Sequence, residues 1–173
     1  MRKIICFLVV IGLVLGTIFL LKKPISLSNT YCAFCDPAVL DRQVFYQDDL
    51  VLALYTHKPI LPGHCLIIPK RHVERFEGLS KEEELQLAEL IKKVNQAAMK
   101  VFGTSAYLLH QKNGYEVGQA VPHVHFHYIA RKKGDSSSLK FILKMYLANF
   151  RKPISPVGMQ KAVEEMKQAM ESL

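Results

Sequence analysis

Three histidines at alternate positions, His123-Val124-His125-Phe126-His127, constrain this chain more than any other feature. Successive side chains of a β-strand point to opposite faces. A strand through this segment therefore sets all three imidazoles on one face, about 6.6–6.8 Å apart. Val124, Phe126 and Tyr128 then share the other face and need an apolar layer to pack against. A single histidine on a strand is usually structural. Three on one face, opposite an apolar face, read as a site.

Two chemistries use such a row. Imidazole is the commonest metal ligand, so the three rings could hold a metal. Alternatively one ring attacks phosphorus while its neighbours orient it and bind anionic oxygens. The preceding loop, Gly118-Gln119-Ala120-Val121-Pro122, bears on the choice. Gly118 permits close backbone approach to a ligand, and Gln119 offers an amide donor to an oxyanion.

The rest of the chain supplies a frame. Leu50–Tyr55, His64–Pro69, Ser105–Gln111 and His123–Ala130 read as strands, with Pro59, Pro62, Gly63 and Asn113-Gly114 as turns. Ser80 and Glu83 form a capping box that opens a long helix. Leu87, Leu90, Ile91, Val94, Ala97, Ala98 and Val101 give that helix one apolar face, and Gly103 closes it. Ser138–Phe150 and Pro156–Ser172 read as two further helices, with Met145, Met159, Met166 and Met170 as packing residues. Strands around one long helix in irregular order predict an α+β fold with a mostly antiparallel sheet. His57 and His110 lack a partner pattern, and Cys65 reads as a small core residue.

The first 23 residues differ from the rest. Ile4–Leu21 is an apolar run interrupted only by Thr17, with Arg2 and Lys3 before it and Lys22 and Lys23 after it. Eighteen helical residues rise about 27 Å, close to a bilayer core. A cleaved signal peptide is the rival, but no small-x-small site follows Leu21. Residues 1–23 are read as a single membrane anchor and 24–30 as a linker. Basic residues flank the run nearly equally, so charge does not choose the orientation. The whole chain carries a net charge of +8, and four basic residues with no acidic ones lie in residues 1–23. The remainder is thus modestly basic, with a cationic stretch from Arg131 to Lys152 that suits a solvated face or anionic headgroups better than nucleic acid. An apolar content of 50% against 22% charged residues excludes a disordered chain.

Gly118-Gln119-x-Val121-x-His123-x-His125-x-His127-x-Ile129 resembles the signature of the histidine triad (HIT) nucleotide hydrolases and transferases. Gly63-His64-x-Leu66-Ile67-Ile68-Pro69-Lys70-x-His72 is similar to their second signature, and Cys32-x-x-Cys35 falls where bacterial members carry a zinc pair. The resemblance covers about Tyr31 to Arg131. It implies a HIT domain over 31–137 with a five-stranded sheet, followed by a helical extension over 138–173. His125 would be the nucleophile attacking the α-phosphorus of a nucleotide conjugate. The conjugate would be a phosphoramidate, a nucleotidyl ester or a dinucleoside polyphosphate. His127 would donate to the phosphate and leaving group, and His64 would lie near the phosphate. Gly118, Gln119, Asn113, Leu54 and Thr56 would contact substrate, with Leu54 a wall of the base cleft. Cys32, Cys35, His72 and His123 would hold a structural Zn2+; taken alone, the CxxC reads as a redox pair, a disulfide or a metal half-site. The resemblance also implies a homodimer, and a nucleotide substrate favours the cytoplasmic face.

Three departures stand out. Ala120 replaces a hydroxyl residue, Thr56 stands where an acidic residue meets the ribose, and Lys112 falls where many members have Asn or Gln. A membrane-attached adaptor that binds nucleotide without catalysis is therefore the competing expectation. A metalloenzyme built on the histidine row is a third.

Overall fold

Five strands form one antiparallel sheet in a computed structural model of the chain, which describes residues 31–173. They are β1 (Val44–Gln47), β2 (Val51–Tyr55), β3 (His64–Pro69), β4 (Tyr107–Gln111) and β5 (Phe126–Ala130), in the order β1-β2-β3-β5-β4. Among the described residues four α-helices accompany them: α1 (Pro37–Gln43), α2 (Lys81–Phe102), α3 (Ser138–Tyr146) and α4 (Pro156–Glu171). The α+β class and the five-stranded sheet agree with expectation. The apolar run at 4–21 and the linker at 24–30 lie outside the described residues. Among the described residues no helix is long and apolar enough to cross a membrane.

β2 and β3 read as apolar runs because they sit centrally and are buried on both faces. Toward one face, Val51, Ala53, Tyr55, Cys65, Ile67 and Tyr128 meet Leu87, Leu90, Val94, Ala97 and Ala98 of α2. The capping box of α2 is complete. Ser80 Oγ accepts from the Glu83 amide at 3.2 Å, and the Glu83 carboxylate accepts from the Ser80 amide at 2.8 Å. Arg71 pairs with the same carboxylate at 2.7 Å, tying the helix start to the end of β3. Gly103 ends the helix at φ +68°, a left-handed conformation in which glycine lacks the Cβ penalty.

One long helix was expected on this face, but α4 shares it. Met159, Met166 and Met170 enter the same core. Ser155 caps α4 by accepting from the Gly158 amide at 3.1 Å, and Pro156 sits in its first turn. A further difference lies at the start of the histidine strand, which pairs only from Phe126 rather than from His123. The last paired partner of β5 on β3 is Ile67, opposite Phe126. His123–His125 therefore continues past the ladder, and the Val124 amide donates instead to the Val73 carbonyl at 2.6 Å. α1 and β1 have no counterpart in the strand-by-strand reading, being short and with only Phe45 of β1 buried.

The second face carries the histidines between two small apolar clusters. Cys32, Phe34, Leu52, Leu54, Leu66 and Ile68 form one. Ile60, Leu61, Ile129 and Phe141 form the other, so α3 closes that end.

Gly63 makes the sharp entry into β3 at φ +81°, and a Cβ there would lie 2.9 Å from both the Ala130 Cβ and the Phe102 ring. At Gly103 a Cβ meets nothing within 4 Å. Gly103→Ala should cost about 1 kcal/mol, from the left-handed backbone alone. Gly63→Ala should cost about 3 kcal/mol, because the clash adds to that strain. Urea denaturation measures both; equal losses would remove the packing contribution.

Candidate active site

The histidine row divides between two groups of side chains, His123 with the cysteines and His125 with His127. His123 lies beyond the paired part of β5 and its ring is wholly buried beside Cys32, Cys35 and His72. His125 and His127 remain neighbours, with ring centroids 5.0 Å apart. Phe34 packs edge-on against both His123 and His125, at 5.8 and 5.2 Å.

Main-chain groups set the tautomers. The His125 Nδ1–H donates to the His123 carbonyl at 2.7 Å, so its Nε2 carries the lone pair. That Nε2 makes no hydrogen bond among the described residues, although the ring is only 5% exposed. A relay sets the next pair. The Ile60 amide donates to His64 Nδ1 at 3.2 Å, which leaves the proton on His64 Nε2. His64 Nε2 lies 2.9 Å from His127 Nδ1 and donates to it. His127 then carries its proton on Nε2, which has no partner among the described residues. A lone pair on His125 and an N–H on His127 thus stand on adjacent rings.

Burial is the leading reason that these rings stay neutral. It pulls His64 down to about 3 and His127 to about 2, with neighbouring imidazoles adding to both shifts. His125 and His110 are also lowered, chiefly by burial, and the Lys112 ammonium adds to each. His110 is a site residue that sequence reasoning missed. It pairs in register with His127 across β4 and β5, and the two rings stack at 4.5 Å with planes 7° apart. Its Nδ1 is buried without a partner among the described residues. The usable signal was register: the Asn113-Gly114 turn folds β4 back on the histidine strand.

Three expected substrate contacts prove to be engaged with protein. Gln119 accepts from the Gly114 amide at 2.6 Å and donates to the Glu74 carbonyl at 2.7 Å, so it pins the loop instead of facing a ligand. Asn113 accepts from the Phe76 amide at 2.8 Å and donates to Glu77 at 2.8 Å, so both ends of its amide are used. Leu54 is wholly buried among Phe34, Leu66 and Ile68 and offers no open wall. Thr56 is buried just past β2, and its amide donates to the His64 carbonyl at 3.2 Å. Gly118 stays exposed at the rim at φ +82° beside the Lys112 ammonium, and Ala120 is exposed.

Cys32, Cys35, His72 and His123 bring four ligand atoms within 4.8 Å of one another. Cys32 and Cys35 are free thiols. Cys32 Sγ and Cys35 Sγ lie 3.4 and 3.7 Å from His123 Nδ1, and Cys35 Sγ lies 3.4 Å from His72 Nδ1. A tetrahedral zinc site with bonds of roughly 2.3 and 2.1 Å has sulfur–nitrogen edges of about 3.6 Å, so the set fits a metal. His123 Nε2–H donates to the Pro69 carbonyl at 2.9 Å, which leaves Nδ1 as the ligating atom. Burial pushes the Cys35 thiol up to about 11, with Cys32 adding to the shift. A bound cation is what would let these sulfurs ionise.

Comparison with known proteins gives the family. Residues 38–134 match the HIT domain family. Over 95 residues the chain is 47% identical to the bis(5'-nucleosyl)-tetraphosphatase [asymmetrical] of Schizosaccharomyces pombe, covering 55% of this chain and 52% of that protein. The chain thus spans about half the length of the fission-yeast relative. Over 129 residues it is 33% identical to the bis(5'-adenosyl)-triphosphatase of Dictyostelium discoideum, covering 75% of this chain and 86% of that protein. A Zn-bound histidine triad family protein from Mycobacterium smegmatis shares the fold, with a TM-score of 0.63 at 22% identity over 82% of this chain and 94% of that one.

The lowered imidazoles make stability depend on acid. A buried ring that stays neutral contributes fully above its unfolded value near 6.5. Below that value the unfolded chain takes up protons that the folded chain refuses. Stability should therefore fall with a slope that rises to about 1.4 kcal/mol per pH unit for each of His64 and His127 as pH drops from 6.5 toward 5. Thermal unfolding across this range should show the fall in Tm, with a shallower slope in His127→Leu. An unchanged slope in that variant would deny the ring its part.

Proposed function

Because the chain belongs to the HIT domain family, we propose that it is a nucleotide hydrolase that splits dinucleoside polyphosphates through a nucleotidyl-histidine intermediate. The carrying observation is His125 Nε2, unpartnered among the described residues and held as a lone pair by the 2.7 Å bond from Nδ1–H to the His123 carbonyl. The tetraphosphatase and triphosphatase relatives support the substrate class.

In the first step His125 Nε2 attacks the α-phosphorus. The N–P bond forms as the bond to the leaving nucleotide oxygen breaks. The His127 Nε2–H, set by the His64 relay, gives its proton to that oxygen. Water then attacks the same phosphorus, loses its proton to His127, and releases the nucleoside monophosphate from His125. His110, stacked on His127, keeps that ring in plane. Lys112, whose charge bears on His110, His125 and His127, balances the polyphosphate. Its position favours the more anionic substrates over an uncharged leaving group. Gln119 and Asn113 position the loop rather than the ligand.

Cys32, Cys35, His72 and His123 would hold a structural zinc, whose role is to fix the main chain at His123. Residues 4–21 would anchor the chain in a membrane with this domain on the cytoplasmic side. The exposed edge of β4, with Tyr107 and Leu109 outward, would pair with the same edge of a second copy.

Intact-protein mass spectrometry, quenched soon after mixing with a diadenosine polyphosphate, should show an added adenylate on the wild-type chain. His125→Gly should show none and lose turnover by a factor on the order of 10³ or more. A wild-type chain that binds nucleotide yet forms no adduct would instead be the adaptor. Metal analysis tests the second element. Cys32→Ser should lose zinc and several degrees of Tm, while His125→Ala keeps both. A metal that survives Cys32→Ser and vanishes in His125→Ala would place it on the histidine row.

A further inference from the structure

The segment from Arg131 to Lys152 has no part in the chemistry above, yet it is the most unusual surface among the described residues. It holds seven Lys and Arg against Asp135 alone. Within it, Leu139, Ile142, Leu143, Tyr146 and Phe150 are between 54% and 83% exposed. Single exposed apolar residues are ordinary, whereas five within twelve positions make a patch that calls for a partner.

The helix cannot hide this face by rolling inward. Its inner stripe is already filled, with Phe141 buried against Ile60, Leu61 and Ile129 and Met145 packed beside it. The Arg131 guanidinium lies over the Phe141 ring at 3.9 Å and is itself held by Asp135 at 2.9 Å. At the far end, Arg151 donates to the Pro59 and Ile60 carbonyls at 2.8 and 3.1 Å. At 3.6 residues per turn, Ile142, Tyr146, Leu139, Leu143 and Leu147 fall in an outward arc of about 140°. Lys140 and Lys144 border that arc, between it and the buried stripe. Lys132, Lys133, Lys140 and Lys152 are exposed and make no salt bridge among the described residues.

An apolar arc bordered by lysines, on a helix clamped to a folded domain, is the form of an element that lies in a membrane interface. We infer that α3 and its flanks dock this domain onto an anionic lipid surface. The outward apolar side chains enter the headgroup boundary, and the unpaired lysines meet lipid phosphates and carboxylates. Each lysine is drawn to such a surface by a screened attraction, so the contact is reversible and charge-dependent. A second copy of the chain fits this face less well. A two-fold contact would bring Lys140 and Lys144 toward their own counterparts in a region with seven cations. The inference does not depend on the catalytic reading. It accords with the apolar run at 4–21, which would hold the chain at a bilayer while α3 sets how the domain lies on it.

The test uses the full chain in lipid nanodiscs, one chain per disc, with amide hydrogen exchange followed by mass spectrometry. On phosphatidylcholine mixed with phosphatidylserine, amides of residues 139–150 should exchange about tenfold more slowly than on phosphatidylcholine alone, which corresponds to about 1.4 kcal/mol. Amides of β2 and β5 should not change. Lys140→Glu with Lys144→Glu should abolish the difference between the two lipids and leave β2 and β5 protected. Should that variant lose protection in β2 and β5, Leu139→Gln with Ile142→Gln replaces it and must abolish the difference too. Equal exchange on the two lipids overturns the inference. Protection that persists in detergent and grows with protein concentration also overturns it, and assigns the face to a second copy.

Discussion

One short hydrogen bond organises the site: the His125 Nδ1–H donating to the His123 carbonyl at 2.7 Å. It fixes a tautomer, and with it the atom that bears a lone pair. It also links two regions through one residue. The His123 ring belongs to the cysteine and histidine cluster, while its carbonyl belongs to His125. Whatever immobilises that ring immobilises the acceptor that orients the neighbouring imidazole. A structural metal at this place would act on chemistry without touching substrate, much as an outer hydrogen-bond partner orients a ligand.

The rest of the fold holds that carbonyl and the His64 relay in place. α2 and α4 cover one face of the sheet with a continuous apolar core. The other face has no such cover. It carries two small apolar clusters with imidazoles between them. Burial between those clusters keeps the rings neutral, because a charged imidazole there would lose its hydration without a carboxylate to replace it. Neutral rings can attack and donate at the same pH.

Reading residues in order captured the regular parts and missed the crossings. The capping box at Ser80 and Glu83 and the left-handed Gly103 are local, and they stand as expected. β3 runs over His64–Pro69, the bounds expected for it, because its ends are set by Gly63 and by Pro69. His110 was overlooked because its importance comes from register with His127, seventeen residues later in the chain. Gln119 and Asn113 have the amide groups that a phosphate site would use. Only the loop's backbone, with the Gly114, Glu74 and Phe76 groups near them, turns those amides inward. The early end of pairing at Phe126 was equally hidden, because beyond it the Val124 amide turns to the distant Val73 carbonyl.

By itself the sequence determined the element types, the apolar faces and the set of groups available for chemistry, since these follow from side-chain size, charge and spacing along one strand or helix. The tertiary structure alone decided which nitrogen of each imidazole is protonated, which amides stay free, and that α3 keeps an apolar face outward. Those outcomes depend on main-chain carbonyls and amides brought from distant parts of the chain, and no local pattern encodes where such groups arrive.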